Sequence, residues 1–291
     1  MTQQRLVIIT DEPDDDLTVQ LLSAAETHNL EAVIVPVCGF DFVNPPVLSI
    51  GDLLYRVAIT HAACVIEQHL IHPGVATCYT HAAGAFNIWD NQTLMLSRHG
   101  IPTPRTFHVL TTDRTDLRRR VDALGGLPVV LKVPGRSLGV GVVRVDTWPT
   151  LFSVAEALES AHGSDVHLMS CVEPAKHWRL LVVAGEVVAS YINELQEDDF
   201  RTCVDESDKA AFTTMPPQEA INQAVAACNI LEVEFGGVDI LEHTSGRCYL
   251  LEVNFPCYFG HPFNAVGTDV AGALVEHLKQ KGQQLIEQLA S

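Results

Sequence analysis

Two short apolar runs near the C-terminal end of the chain constrain its fold most strongly. They cover residues 238–241 and 249–253, and the polar segment between them contains Ser245-Gly246. Apolar and β-branched runs on either side of such a turn predict a β-hairpin. Glu252 and Asn254 are two residues apart, so their side chains leave the same face of the second strand. Pairing with the first strand can bring Asp239 beside them.

Three oxygen-bearing side chains that converge on one point suit Mg²⁺. This ion binds a few carboxylates together with substrate phosphates more readily than a closed protein cage. The alternative is a hairpin that carries ordinary exposed acids. These three residues, Asp239, Glu252 and Asn254, do not by themselves distinguish a metal site from ordinary exposed acids. Other segments of the chain have to decide between the two interpretations.

Composition excludes several classes of protein. The chain has 291 residues, of which 47% are hydrophobic, enough for two or three subdomains. A formal net charge of −18 makes nucleic acid and anionic lipid poor partners. No apolar run approaches the roughly 20 residues of a membrane span, and the N-terminus lacks the pattern of a signal peptide. The eight cysteines are widely spaced without a Cys-x-x-Cys pair, so we expect reduced thiols in a cytoplasmic protein.

The first third of the chain has a β–α–β rhythm, which predicts a parallel sheet. A Gly/Pro-rich break at 100–104 is typical of a linker. The elements predicted up to this break are strands at 5–10 and 32–37, a short strand near 75–79, and helices at 17–29, 57–70 and 91–99.

Beyond the break, strands predominate. A turn at 184–186 predicts a second hairpin, and the polar segment 194–216 is expected to be a mobile loop. The predicted strands are 106–110, 128–133, 141–145, 166–172, 178–184 and 187–192, and the predicted helices are 114–124, 217–230 and 268–289.

A glycine-rich segment after a predicted strand forms the second strong pattern. Lys132 ends the strand, and Gly135, Ser137, Gly139 and Gly141 follow it. Glycines allow backbone N–H groups to approach phosphates closely, and the lysine adds a positive charge. The spacing is neither that of a Walker loop nor that of a dinucleotide fingerprint. Such a segment is often only a turn, but upstream of a candidate Mg²⁺ site it favours a phosphate-binding loop.

Taken together, these motifs resemble the ATP-grasp superfamily, and the RimK-like carboxylate–amine ligases most closely. The resemblance covers roughly residues 88–280 and rests on several dispersed motifs in the family's order. They are Gly100-Ile-Pro-Thr-Pro104, Lys132 with its glycine loop, 177–185, Gly237-Val-Asp239, Glu252-Val-Asn254 and 267–272.

The resemblance implies an α/β fold that becomes α+β in its C-terminal part. A parallel-sheet pre-ATP-grasp domain would occupy residues 1–104. The small lobe of a two-lobed ATP-grasp fold would follow at 105–173, and the large lobe at 174–291.

The resemblance also implies a nucleotide site. Lys132 would contact the ATP phosphates under the loop of Gly135, Ser137, Gly139 and Gly141. Asp239, Glu252 and Asn254 would hold Mg²⁺, or Mn²⁺ in its place. Backbone groups of Cys171 and Val172 would bind adenine, and Glu173 would reach the ribose.

Arginines are candidates for binding the transferred phosphate or the substrate carboxylate, because guanidinium binds oxyanions through paired hydrogen bonds. Arg179 and Arg201 match arginines of two family motifs and are the catalytic candidates, together with Lys132. Arg56 would point into the cleft from the first domain. The alternative for each arginine is a surface salt bridge in an acidic protein.

Several positions depart from the family pattern. The chain has no lysine before Lys132, although many members carry a second ATP-binding lysine there. His177 stands two residues before Arg179 where an aspartate is usual, Cys203 replaces an asparagine, and Ser170 replaces a glutamine. Nothing near Cys203 in sequence would activate it as a nucleophile. No general base for the amine is obvious, and the candidates are His177, His261 and the carboxylates of residues 194–208.

The function predicted from these patterns is an ATP-dependent carboxylate–amine ligase that works through an acyl phosphate. Its substrates would be a small carboxylic acid and an amine, either an amino acid or a peptide. The alternatives are an ATP-grasp enzyme that modifies a peptide or a carrier-protein thiol, and a non-catalytic nucleotide-binding subunit. Homo-oligomers are common in the family, but no segment of the sequence identifies an interface.

Overall fold

The computed structural model describes residues 4–81, 91–135, 139–196, 199–203, 208–260, 263 and 266–290. Its α/β architecture, with a parallel sheet first and antiparallel sheets after it, confirms the predicted fold class. In the described part of the chain, no helix is both long enough and apolar enough to cross a membrane.

The elements alternate along most of the chain. The strands are β1 (Arg5–Ile9), β2 (Glu31–Val35), β3 (Leu53–Arg56), β4 (Thr106–Phe107), β5 (Val129–Lys132), β6 (Val142–Val145), β7 (His167–Ser170), β8 (Ala175–Val183), β9 (Glu186–Gln196), β10 (Asp199–Cys203), β11 (Phe235–His243) and β12 (Cys248–Asn254). The helices are α1 (Asp16–Thr27), α2 (His61–Leu70), α3 (Gln92–Arg98), α4 (Arg114–Leu124), α5 (Trp148–His162), α6 (Lys209–Thr213), α7 (Gln218–Ile230) and α8 (Val270–Ala290).

The first sheet is parallel, in the order β2-β1-β3, and its central strand is buried on both faces. Leu6 and Ile8 pack with residues of α1 and of the C-terminal helix α8. Val7 and Ile9 pack on the other side with residues of α2. A continuous apolar run is what a parallel strand covered on both faces requires, and residues 6–9 supply it.

The second sheet has the order β4-β7-β5-β6 and is antiparallel. Helices α4 and α5 cover it and share with it a hydrophobic core drawn from residues 107–168. Lys132 ends β5, so this compact unit holds it at the edge of its core.

The third sheet is antiparallel, in the order β10-β9-β8-β11-β12. Trp178, Leu180 and Val238 on one face pack in a core with α7. Arg179 and Asp239 occupy the opposite face and pair directly across β8 and β11. The strands are joined by the two predicted hairpin turns, and at 184–185 both residues have positive φ, as the tight hairpin turn requires.

A β-bulge in the β11–β12 hairpin separates the polar half of β12 from its apolar half. Asp239 pairs with Glu252, but Ile240 pairs with Leu250, so Leu251 is the extra residue. Without the bulge, strict alternation would turn Leu250 to the same face as Glu252. With it, Leu250 is fully buried in the core on the other face.

Some local predictions are wrong. Residues 53–56 form β3 and the following helix begins at His61 rather than 57, while the strand expected near 75–79 is reduced to isolated bridges. Helix α5 was not predicted at all. The loop predicted over 194–216 contains β10 and α6 in its described part. Domain boundaries at 104 and 173 stay a prediction.

Candidate active site

The three predicted metal ligands come together on one face of the third sheet. Asp239 lies directly across from Glu252. The Asn254 amide nitrogen is 3.1 Å from Asp239 Oδ2 and 3.3 Å from Glu252 Oε1, so it donates to both carboxylates. The hairpin therefore places two carboxylates and one amide at a single point.

Gln92, at the start of α3, fixes the strand between two of these ligands. Its side chain forms two hydrogen bonds of 2.9 Å with Val253, accepting from the backbone N–H and donating to the carbonyl oxygen. A further hydrogen bond of 2.8 Å joins Leu250 N–H to the carbonyl of Pro102. Val253 stands between Glu252 and Asn254, so Gln92 holds the backbone that carries both. No pattern in the sequence pointed to Gln92.

Asp239 is the most tightly surrounded of the three ligands, with 4% of its surface exposed. Arg179 Nε is 2.8 Å from Asp239 Oδ1 in an ion pair that lacks hydrogen-bond alignment. His177 Nε2 is 3.3 Å from the same oxygen. Burial raises the pKa of the Asp239 carboxyl, but the charge of Arg179 and the hydrogen bond from His177 outweigh it, so the pKa lies below its usual value. Asp239 is therefore a carboxylate at neutral pH.

His177 is held from both sides. Its Nδ1 makes a short hydrogen bond to the hydroxyl of Thr202 on β10, and its Nε2 faces Asp239. This arrangement positions the Asp239 carboxylate. No pattern in the sequence pointed to Thr202 as a neighbour. The other candidate histidine, His261, lies outside the described residues, as does the side chain of Cys203.

Gly237 makes room for Arg179. A Cβ atom on Gly237 would lie 2.6 Å from Arg179 Nη1 and 2.8 Å from Cys257 Cβ, both far inside van der Waals contact. Any side chain here would push the guanidinium away from Asp239. Packing therefore explains why the Gly-Val-Asp motif has a glycine here: Arg179 of the neighbouring strand occupies the space that a side chain would need.

Lys132 reaches the metal-ligand set from the second sheet. Its Nζ is 2.7 Å from Glu252 Oε2, and the two side chains are 27% and 38% exposed. A pair with this much exposure is weakly held, because water competes for both charges. Lys132 and Glu252 thus meet from two different sheets, at a contact where an anionic ligand could take the place of the ion pair.

The donor set fits Mg²⁺. Within the described ranges, no three His, Cys, Asp or Glu side chains cluster as metal ligands, so the third ligand beside Asp239 and Glu252 would be Asn254. Two carboxylates and an amide are the hard oxygen ligands that this ion takes. In this structure the Asn254 amide donates a hydrogen bond to Glu252, and the Lys132 ammonium forms an ion pair with it. Both contacts lie where a cation would bind.

Gly139, in the glycine-rich segment, lies against Arg201 of β10. Arg201 Nη1 is 3.4 Å from the carbonyl oxygen of Gly139, and a Cβ atom on Gly139 would lie 2.9 Å from Arg201 Cδ. Gly139 also has a φ of +70°, which favours glycine. Gly135 and Gly141 flank the loop, whereas Ser137 lies outside the described residues. Arg201 therefore contacts the loop, while Arg179 contacts Asp239.

Residues 171–173 follow β7, as the proposed adenine segment requires. Glu173 makes a short ion pair with Arg144, which also bonds Asp146 at 2.8 Å. Burial raises the pKa of the Cys171 thiol to about 11, with a further contribution from Glu173, so Cys171 is not a thiolate at neutral pH. Backbone contacts of Cys171 and Val172 with a base stay a prediction.

His167 pairs with Lys132 across β5 and β7, and its ring packs edge-on against His108 at 4.8 Å. Burial of the ring lowers the pKa of His167 from 6.5 to about 4, and electrostatic repulsion from His108 and Lys132 contributes to the same shift. The neutral imidazole therefore adds no positive charge beside Lys132 at neutral pH.

Replacing His167 by phenylalanine should weaken the acid sensitivity of the fold. Between pH 6.5 and about 4 the unfolded chain binds a proton at this residue before the folded one does, so stability falls as the pH falls. His167→Phe removes this contribution, about 1 kcal/mol for a half-buried group. Thermal unfolding across this window measures it, with exposed His61→Phe as the control. An unchanged pH slope in His167→Phe would contradict the assignment.

Comparisons with known proteins identify the family and the fold. A family model for the RimK-like ATP-grasp domain matches residues 89–278. A probable alpha-L-glutamate ligase of Halorhodospira halophila (strain DSM 244 / SL1) is 33% identical over 190 residues, which make up 64% of this chain and 61% of that protein. The chain thus spans less than two thirds of the length of that relative.

Two solved structures are similar over nearly the whole chain. The ATP-grasp ligase PsnB, complexed with minimal precursor, Mg and ADP, has a TM-score of 0.71 at 16% identity, covering 97% of this chain and 99% of that one. A RimK domain protein ATP-grasp from Sphaerobacter thermophilus DSM 20745 has a TM-score of 0.67 at 20% identity, covering 94% and 98%. The fold is therefore that of the ATP-grasp proteins. The chain belongs to the RimK-like ATP-grasp family.

Proposed function

We propose that the protein is an ATP-dependent carboxylate–amine ligase that forms an amide bond and releases ADP and phosphate. A carboxylate oxygen of the acid attacks the γ-phosphorus of ATP and the bond to the bridging oxygen of ADP breaks, giving an acyl phosphate. The amine nitrogen then attacks the acyl carbon, phosphate leaves, and the nitrogen loses one proton to give the amide. The observation that carries this proposal is the meeting of Lys132 with Glu252 beside Asp239 and Asn254 in a RimK-like chain.

The residues serve positioning and charge neutralisation, which dominate phosphoryl transfer. Asp239, Glu252 and Asn254 would hold Mg²⁺, or Mn²⁺ in its place, and the ion would neutralise negative charge on the phosphates. Lys132 would leave Glu252 and bind a phosphate oxygen. Backbone N–H groups of the glycine loop would donate hydrogen bonds to the phosphates. Arg179 keeps Asp239 ionised and positioned, and Arg201 supports the loop through Gly139.

The substrates proposed are a small acid and an amine, with L-glutamate the first amine to test because the relative is named a probable alpha-L-glutamate ligase. A peptide substrate is the second candidate, favoured by the similarity to PsnB with its precursor. A cytoplasmic location is also proposed, and the seven cysteines with described side chains, all free thiols, support it. Homo-oligomer formation stays a proposal.

The test is ADP release with Mg²⁺ and pools of amino acids, dipeptides and small carboxylic acids, followed by mass spectrometry of the products. We expect at least one pool to raise the rate about tenfold or more over ATP alone and to yield a new amide. Folded protein that binds ATP but releases no extra ADP with any pool would indicate a non-catalytic nucleotide-binding subunit. Turnover that yields a thioester in place of an amide would favour a thiol acceptor.

A further inference from the structure

A cavity of about 350 Å³ adjoins the metal-ligand strand on the side of the first sheet. Asn254 and Phe255 line one part of it, and Arg56 and Glu67 line another. Its volume is at the lower end of the range for small-molecule sites, and its walls combine apolar side chains with a few polar groups, as such sites do. An occupant of this cavity would lie next to Asn254.

The polar wall of this cavity is a buried ion pair. Arg56 Nε donates to Glu67 Oε2 at 2.9 Å, and both side chains are 6% exposed. Tyr79 OH donates to the same oxygen at 2.9 Å, and Arg56 Nη1 donates to the carbonyl of Ala58 at 2.8 Å. The Arg56 guanidinium also lies over the ring of Phe255, 5.9 Å from its centroid.

This network leaves one edge of each charged group without a partner among the described residues. In the described part of the chain, both hydrogen bonds to Glu67 end on Oε2 and Arg56 donates through Nε and Nη1, which leaves Glu67 Oε1 and Arg56 Nη2 for a ligand. Both residues line the cavity. A buried ion pair is costly to desolvate, and it is stabilised when its remaining donors and acceptors are also satisfied.

A purely structural pair tying β3 to α2 would account for the contact between Arg56 and Glu67. It would not account for the atoms that both partners leave available, Arg56 Nη2 and Glu67 Oε1, in a cavity that Asn254 of β12 also lines. A guanidinium edge binds a carboxylate, and a carboxylate oxygen binds an ammonium group. A ligand that carries both groups a few bonds apart would satisfy both edges together.

We propose that this cavity binds the free amino acid that supplies the amine, with its α-carboxylate on Arg56 and its ammonium group on Glu67. This inference rests on the proposed function and names the substrate class for it. A carboxylate held by Arg56 is not free to attack a phosphate, which argues against the acid as the occupant. The ammonium group becomes a nucleophile once it passes one proton to Glu67 Oε1, so an amino acid in this cavity can serve as the amine substrate. Asn254 in the same cavity keeps the amine next to the site where the acyl phosphate forms.

The experiment compares L-glutamate with its α-amide, which lacks the α-carboxylate charge, as amine substrates. We expect the wild-type protein to prefer L-glutamate by about 10- to 100-fold in kcat/KM, the range for one charge-assisted contact. In Arg56→Met, the KM for L-glutamate should rise by a similar factor while the KM for ATP stays unchanged. The preference over the α-amide should disappear.

Arg5→Met is the matched control, because Arg5 pairs with the buried Asp52 in the same sheet but does not line the cavity. It should lower stability without changing either KM. Cys64→Phe, which adds bulk to the cavity lining and keeps both charged side chains, should also raise the KM for L-glutamate. This variant serves as the test if Arg56→Met does not fold.

Three results would overturn the inference while leaving the proposed function intact: equal use of L-glutamate and its α-amide by the wild type, an unchanged KM in Arg56→Met, or an unchanged KM in Cys64→Phe. If no amine supports turnover, the proposed function fails. Calorimetric titration of the wild type and Arg56→Met with L-glutamate and its α-amide, in the presence of ADP and Mg²⁺, then decides whether the cavity binds the amino acid.

Discussion

Replacing Asp239 by asparagine should reduce substrate-dependent ADP release about a thousandfold, the loss typical of removing one group that stabilises transition-state charge. The substitution keeps the shape of the side chain and removes its charge from the point where Glu252 and Asn254 also converge. It also leaves the guanidinium of Arg179 without its counter-charge. Breaking a buried pair in this way should lower the free energy of unfolding by about 3 kcal/mol.

Asp52→Asn separates these two effects. Asp52 is 1% exposed and pairs with Arg5 in the first sheet, away from the candidate site. Both variants should unfold at lower temperature than the wild type in calorimetry, but only Asp239→Asn should lose activity. Wild-type turnover in folded Asp239→Asn would exclude Asp239 as a metal ligand.

Lys132→Met should lower kcat/KM for ATP by at least about a hundredfold, with a smaller effect on folding. Lys132 is a positive group at the cleft, 2.7 Å from Glu252, and methionine keeps its length without its charge. Because the ion pair is partly exposed, its loss should cost at most about 1 kcal/mol of stability. Steady-state kinetics with varied ATP, together with thermal unfolding, measures the two effects separately.

Lys176→Met is the control for Lys132. Lys176 is exposed on β8, one residue from His177, so its side chain leaves the sheet on the face opposite His177 and Arg179. Its removal changes the net charge by the same amount and should leave the KM for ATP unchanged. Equal losses in the two variants would mean that net charge, rather than contact with phosphate, explains the effect.

The sequence was sufficient to predict the hairpin and the convergence of Asp239, Glu252 and Asn254, because both depend on local rules. Alternation along one strand places Glu252 and Asn254 on the same face, and a short turn brings Asp239 opposite. The bulge at Leu251 was not predictable in the same way. Two adjacent leucines are equally apolar, so only the packing of Leu250 into the core decides which one is extra.

Contacts between distant segments account for most of what the sequence did not predict. Gln92 lies 161 residues from Val253, and His177 meets Thr202 only because β10 joins the sheet beside β9. Neither contact leaves a periodic pattern in the chain. The polar composition of 194–216 suggested a loop, yet strand pairing with β9 overrides that local preference.

The two contacts on the outer edge of β12 have a consequence for association between chains. An edge strand normally presents unpaired backbone groups that can pair with a strand of another molecule. Here the Gln92 side chain occupies both groups of Val253, and Pro102 occupies the N–H of Leu250. The strand that carries Glu252 and Asn254 is therefore closed to strand addition along this stretch, which protects these side chains from the edge-to-edge aggregation that an exposed strand invites.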